Sequence, residues 1–271
     1  MKGAHHQRSE KGFSLIEMMI AAVIFILLCS AAFALLSLAQ QRYQTESQVL
    51  NSFQEARFGL DEIVRDVNGS AYPAKNSFSF NPNSPAQNLY AITPIAWDPN
   101  YVAGSACQIG TAGGGTCATP SDFDLIVERD VDYWRTDGVE WTRYQLQNSV
   151  LSRSQTPKAP LAEPDATTAP FFVPYVQNVM NNASSEQIAQ FTLVYPKMFP
   201  GGNPVPVFSY FCYSPFGPPQ PCPSAGSYNS PLNVTDVEIT LIVMAPTKDA
   251  QTGQVRLIEL HGRGHSLNPI H

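Results

Sequence analysis

Charge is scarce in this chain: 14% of its 271 residues are Asp, Glu, Lys or Arg, against about 25% in an average soluble domain. No cluster of lysine or arginine interrupts the net charge of −6, so a basic nucleic-acid stripe is excluded as the main working surface. Internal repeats are absent. So are the common catalytic signatures: no Gly-x-Ser-x-Gly elbow occurs, GHSLN near the C-terminus lacks the final glycine, and Gly113-Gly114-Gly115 lacks the Lys-Ser/Thr of a phosphate loop. What is present is a real core, with 44% hydrophobic residues, threaded by 23 prolines and 17 glycines that call for many loops. Disorder throughout is excluded, and the length allows one large or two small domains.

The apolar residues are unevenly spread. Residues 13–39 contain one charge, Glu17, and the 22 residues from Met18 to Ala39 contain none. At 1.5 Å per residue those 22 span roughly 33 Å, the thickness of a bilayer's hydrocarbon core. A cleaved secretory signal has an apolar region of only about 7–15 residues and a small-residue cut site after it, so a spanning helix is the better reading. Lys2, Arg8 and Lys11 against Glu10 give a balance of +2 before the run. The positive-inside rule therefore places the N-terminus in the cytoplasm and everything after residue 40 outside.

From residue 40 to 68 there is no proline, and Val49, Phe53, Ala56, Leu60, Ile63 and Val67 recur at spacings of 4, 3, 4, 3 and 4. That is one apolar stripe on a polar helix, with Asn68-Gly69 as a stop and Pro73 beyond it. If continuous from Ser14, the helix would be about 80 Å long. Beyond it the pattern turns to short β-like runs: 122–131, 139–146, 150–154, 190–195, 205–213, 234–244 and 254–261. Asp137-Gly138 and Gln147-Asn148-Ser149 suit hairpin turns. Val237, Ile239, Leu241 and Val243 share one strand face, which should meet the helix stripe. Residues 74–120 and 214–231 have the composition of long loops. The expected fold is α+β: an N-terminal helical spine, half transmembrane and half amphipathic, packed on a mainly antiparallel sheet domain. The expected divisions are 1–12, 13–39, 40–69 and 70–271.

Four cysteines form two sequence-local pairs, Cys107 with Cys117 and Cys212 with Cys222, in segments assigned to the far side of the membrane. An oxidising compartment favours disulfides there. Four cysteines allow three connectivities; nearest-neighbour pairing closes small loops, each worth roughly 2–3 kcal/mol. Nine residues intervene in each pair, against two to four between paired zinc ligands, so no metal site is expected. Cys29, inside the apolar helix, reads as a packing residue. Asp130, Asp132 and Asp137-Gly138 lack the spacing of a calcium loop and fit a solvated hairpin. His261, His265 and His271 are interrupted by Gly262 and Gly264 and read as a flexible C-terminal tail.

The segment KGFSLIEMMIAAVIFILL, residues 11–28, resembles the N-terminal signature of type IV pilins and type II secretion pseudopilins. A short basic leader ends in Gly12, then come Phe13, an apolar run and the carboxylate of Glu17. The resemblance implies that a prepilin peptidase cuts between Gly12 and Phe13 and N-methylates the new amine. A glycine lets the peptide backbone approach closely at the cut. The mature chain would have 259 residues and a charge of about −8. A charge within a membrane helix costs about 2.5–3.5 kcal/mol at mid-membrane, so Glu17 asks for a partner. The resemblance implies the Phe13 amine, particularly that of a neighbouring subunit.

Two further segments are similar to PilW-like minor pilins and, for the second, also to GspJ-like minor pseudopilins: EARFGLDEIVRDVNGSAY at 55–72 and EWTRYQLQNSVLSRS at 140–154. They imply a non-enzymatic minor subunit that primes or caps a filament from the inner membrane, with a periplasmic domain and a place near the tip. The implied partners are prepilin peptidase, other minor and major pilins or pseudopilins, the inner-membrane assembly platform and membrane lipid. No cofactor and no nucleic-acid ligand are implied. Two other readings stay open: a tip adhesin using Trp97, Tyr101, Tyr210 and Phe216, and a helix-tethered periplasmic enzyme.

Overall fold

The computed structural model describes residues 12, 14–72, 91, 94–95, 122–131, 138–158, 168–214, 217–222, 233–249 and 253–267. Its first element is the helix α1, Leu15–Asn68. No proline interrupts it, and the turn that ends it satisfies two orphan carbonyls, with Gly69 N–H donating to Arg65 O and Ser70 N–H to Val67 O. The left-handed residue of that turn is Ala71 (φ 63°). Gly69 serves another purpose: a Cβ on it would lie 3.1 Å from Arg129 Nη1, so its small size lets that guanidinium pass.

The chain divides into two compact units, 1–48 and 49–271. Within the first, the helix is long and apolar enough to cross a membrane, and none of its most apolar window is buried. Cys29 is a free thiol there, and Ser30 Oγ donates to the carbonyl of Ile26.

The second unit is an α+β domain of two antiparallel sheets. Sheet one orders β1 (Asp124–Arg129), β2 (Glu140–Gln147), β3 (Val150–Pro157) and β4 (Val173–Gln177) as β1-β2-β3-β4. In sheet two, β5 (Phe208–Cys212), β6 (Gln220–Pro221), β7 (Val234–Lys248) and β8 (Val255–His265) are ordered β6-β5-β7-β8. The β2–β3 turn is Asn148-Ser149, with φ of 49° and 62° and Gln147 paired to Val150; two positive-φ residues match the twist of the flanking strands. The sheets are joined through a Val179–Val243 bridge. Beside it the fully buried Asn181 accepts from Ile242 N–H at 2.8 Å and donates to Thr240 O at 2.8 Å.

Ala56, Leu60, Ile63 and Val67 of α1 lie in one buried cluster with Val237, Ile239, Leu241 and Val243 of β7 and with Leu125, Val127, Tyr144, Leu146 and Leu151 of sheet one. Phe53 packs against it partly buried, and Val49 is 5% exposed. Alternation in β7 sends Ile242 and Met244 to the opposite face, where they cluster with Ile188 of the second helix, α2 (Ser185–Val194), with Phe199 beyond it and with Leu257 of β8.

Helix α2 corrects one expectation, since residues 190–194 belong to it, Tyr195 ends it and no strand forms there. Its apolar residues could alternate in a strand, but Ser184 caps the helix and Gln187 answers as a capping box, so local hydrogen bonding decides for helix. Strand β4 has no β-like pattern in the sequence because Pro170 precedes it and Pro174 lies within it; it is an edge strand, where a missing N–H is tolerated. The predicted flexible C-terminal tail is also overturned: His261 and His265 belong to β8. Gly262 and Gly264 are there because the helix lies on them. A Cβ on Gly262 would lie 2.9 Å from Leu60 Cδ1, and one on Gly264 would lie 2.5 Å from Val67 Cβ.

Candidate functional site

At the start of α1, Gly12 is exposed with nothing within 4 Å of a Cβ built on it, and Phe13 lies outside the described residues. Ser14 precedes the helix and its carbonyl accepts the first helical bond, from Met18 N–H at 3.2 Å. Glu17 Oε2 accepts from Ser14 N–H at 3.0 Å. Ser14-x-x-Glu17 has the spacing of a capping box, a signal legible in the sequence. The carboxylate therefore satisfies one of the four N–H groups that a helix start leaves without partners, at the end of the helix dipole where negative charge is stabilised.

At the other end of α1, Asp66 is fully buried in the last helical turn, where the dipole disfavours an acid. Three groups from sheet one compensate. Tyr144 Oη donates to Asp66 Oδ2 at 2.6 Å, Arg153 Nη2 lies 3.3 Å from the same oxygen, and Arg129 pairs with Oδ1. Arg153 Nε also donates to Tyr144 Oη at 3.1 Å. Burial, then the Asp66 charge, pushes the Tyr144 phenol far above its usual range. The Arg65-Asp66 pair of segment 55–72 and Leu151-Ser152-Arg153 of segment 140–154 are thus brought together: the acid of one is held by the arginine of the other.

Sheet one buries two further ion pairs. Arg143 grips Asp124 with Nε at 2.9 Å and Nη2 at 2.7 Å. Lys158 pairs with Glu128, whose other oxygen accepts from Trp141 Nε1 at 3.2 Å. In sheet two, Asp236 receives Thr235, Arg263 and His265. Burial alone would raise its carboxyl, but those hydrogen bonds outweigh it and hold the group below its usual range.

Cys212 and Cys222 are disulfide-bonded, while Cys107 and Cys117 lie outside the described residues. Tyr210, offered above as an adhesive aromatic, is 8% exposed and donates to Asp124 O at 3.1 Å; it is core, and cannot present a contact surface. Trp97, Tyr101 and Phe216, like Asp132, Asp137 and His271, lie outside the described residues. Among the described residues no group of three or more His, Cys, Asp or Glu is placed to hold a metal.

An apolar helix of spanning length, Gly12 before it and a capped Glu17 in its first turn stand together at the N-terminus. Residues 7–33 match the prokaryotic N-terminal methylation motif. This supports the type IV pilin and pseudopilin family and a membrane-anchored, pilus-associated protein. The motif implies processing by prepilin peptidase and assembly with pilins, and it suggests a structural, non-enzymatic subunit. No curated protein and no solved structure matches the chain.

Proposed function

We propose that this chain is a minor pilin of a type IV pilus, resembling the PilW-like subunits, which primes or caps the filament. The observation that carries the reading is the methylation motif over residues 7–33, which runs into a helix of spanning length whose first turn holds Glu17. Prepilin peptidase cuts after Gly12, Phe13 becomes an N-methylated amine, and residues 13–39 hold the chain in the inner membrane with the 70–271 domain in the periplasm. Glu17 then exchanges the Ser14 amide for the Phe13 amine of a neighbouring subunit as the chain leaves the bilayer and docks. A second disulfide, Cys107 to Cys117, staples the domain alongside Cys212 to Cys222. The size of the domain fits a low-copy position near the tip, since a major subunit must pack many copies side by side. A GspJ-like minor pseudopilin shares this whole mechanism, and the hairpin at 140–154 resembles it equally.

The test is Glu17→Leu in the full chain, with mass spectrometry of the N-terminal peptide. The parent yields N-methylated Phe13. The variant is processed and inserted, since a more apolar segment inserts at least as well, yet it fails to enter filaments because an amine is left unpaired in an apolar bundle. Peptides beginning only at Met1 in cells with active peptidase, or normal filaments from the variant, would overturn the reading. Loss of pili against loss of secretion separates the two systems.

A further inference from the structure

Beside its core stripe, the amphipathic part of α1 carries a second one. Asn51, Glu55, Phe58 and Glu62 recur at spacings of 4, 3 and 4, the same heptad moved two residues along, hence close to the opposite face. Phe58 is 73% exposed although Ala56 and Leu60 on either side of it are buried. A groove of about 370 Å³ runs along this ridge, lined by Asn51, Gln54, Glu55, Phe58, Gly59 and Tyr175. Its floor is Gly59, where a Cβ would lie 2.4 Å from Val176 Cγ2 and 3.5 Å from the Tyr175 ring. The glycine thereby lets β4 close on the helix and stand Tyr175 up as the far wall. That ring is itself braced, 6.0 Å from Tyr144 at a tilt of 53°.

The groove is lined by two aromatic side chains, Phe58 and Tyr175, and by the carboxylate of Glu55, and the domain shows what it does with rings and carboxylates elsewhere. Three times among the described residues an arginine lies over an aromatic ring while it pairs with an aspartate: Arg143 over Phe172 (5.3 Å) with Asp124, Arg153 over Tyr144 (5.9 Å) with Asp66, and Arg263 over Phe211 (4.7 Å) with Asp236. At the groove, Phe58 and Tyr175 stand beside Glu55, which has no ion pair among the described residues, while the charges of Arg153 and Arg65 reach the Tyr175 side of it. Glu62 adds charge nearby, and its own partner Arg65 is an exposed i,i+3 contact, a pair worth little and easily exchanged. An apolar occupant would desolvate Glu55 with nothing to balance it. A guanidinium stacks on the rings and meets the carboxylate with a planar fork.

We propose that this groove is a docking site for an arginine carried on the helix of a neighbouring, non-identical filament subunit. The ridge from Asn51 to Phe58 is about 10 Å long, room for a helix crossing at the usual 8–10 Å, with Asn51 and Gln54 left to hydrogen-bond beside the arginine. The inference rests on the pilin-like reading and names the chemistry of its partner.

The test places the photo-crosslinker benzoylphenylalanine at Asn51 of the full chain in assembling cells and maps the adduct by peptide mass spectrometry. The expected adduct is a helical peptide of another filament subunit with an arginine within one turn of the linked residue. Glu55→Arg with Glu62→Arg lowers its yield about tenfold, the equivalent of losing one sound contact, while processing at Gly12 and the amount of chain in the membrane stay unchanged. Substituting Glu for that arginine restores the yield in the charge-reversed chain. Adducts only with lipid, with a second copy of this chain or with peptides lacking arginine, or a yield untouched by charge reversal, overturn the proposal. The pilin-like reading fails separately, through normal filaments from Glu17→Leu.

Discussion

Asp66→Ala tests the buried clamp at the end of α1, where the acid is fully buried and three sheet groups converge on it. Tyr144 loses its acceptor, which costs about 1–3 kcal/mol for a buried hydroxyl, although its oxygen still receives Arg153 Nε. Removing one member of a buried ion pair costs about 3–5 kcal/mol. That figure is reduced here, because the side chains of Arg129 and Arg153 keep 13% and 24% exposure and can turn to water. An unfavourable helix-dipole contact of about 0.3–1 kcal/mol is relieved as well. The balance is a loss of about 3 kcal/mol, or about 6–12 °C in the melting temperature of a domain this size. Near-ultraviolet circular dichroism of the full chain in detergent micelles reads it. In a double-mutant cycle Asp66 and Arg153 should couple by about 1–3 kcal/mol. Melting of Asp66→Ala unchanged from the parent, or additive single mutants, would refute the clamp.

Gly264→Ala puts a methyl group 2.5 Å from Val67 Cβ, an overpacking that should cost about 1–3 kcal/mol in the same melting assay, whereas Ala at the uncrowded Gly217 should change little. Burial holds the Tyr144 and Tyr210 phenols protonated well above their usual range, while in the unfolded chain they ionise near pH 10. Stability should therefore be intact below about pH 10 and fall above it by about 1.4 kcal/mol per pH unit for each tyrosine. Tyr144→Phe should flatten that slope in urea titrations, and an unchanged slope would show that the phenol is not held neutral.

Much of the fold was legible because it is written in short-range patterns. The 4-3-4-3-4 stripe and the proline-free run from 14 to 68 describe α1, and β-branched alternation marks β7. The misreadings have local causes too. At 190–195 alternation suggested a strand, but the capping pair Ser184 and Gln187 lies outside that window. At Gly262 and Gly264 a lack of side chains looked like flexibility, when it is the imprint of Leu60, Val64 and Val67 of the helix above. Nothing within β8 reveals that imprint, because the atoms that require it are about 200 residues away in the chain.

By itself the sequence determined the features that need no partner from elsewhere in the chain: the apolar run and its flanking charges, the single carboxylate of Glu17 within it, and the side of the helix that goes inward. These follow from local periodicity and from the cost of putting charge into lipid. Tertiary structure alone decided which distant charges meet. Asp66 finds Arg129, Tyr144 and Arg153 across separations of up to 87 residues, and Tyr175 and Val176 of β4 close on α1 over Gly59, which permits the approach. Pairings of this kind depend on sheet register and on where α1 crosses β4 and β8. Those in turn are set by the summed packing of the core, which no short stretch of sequence encodes.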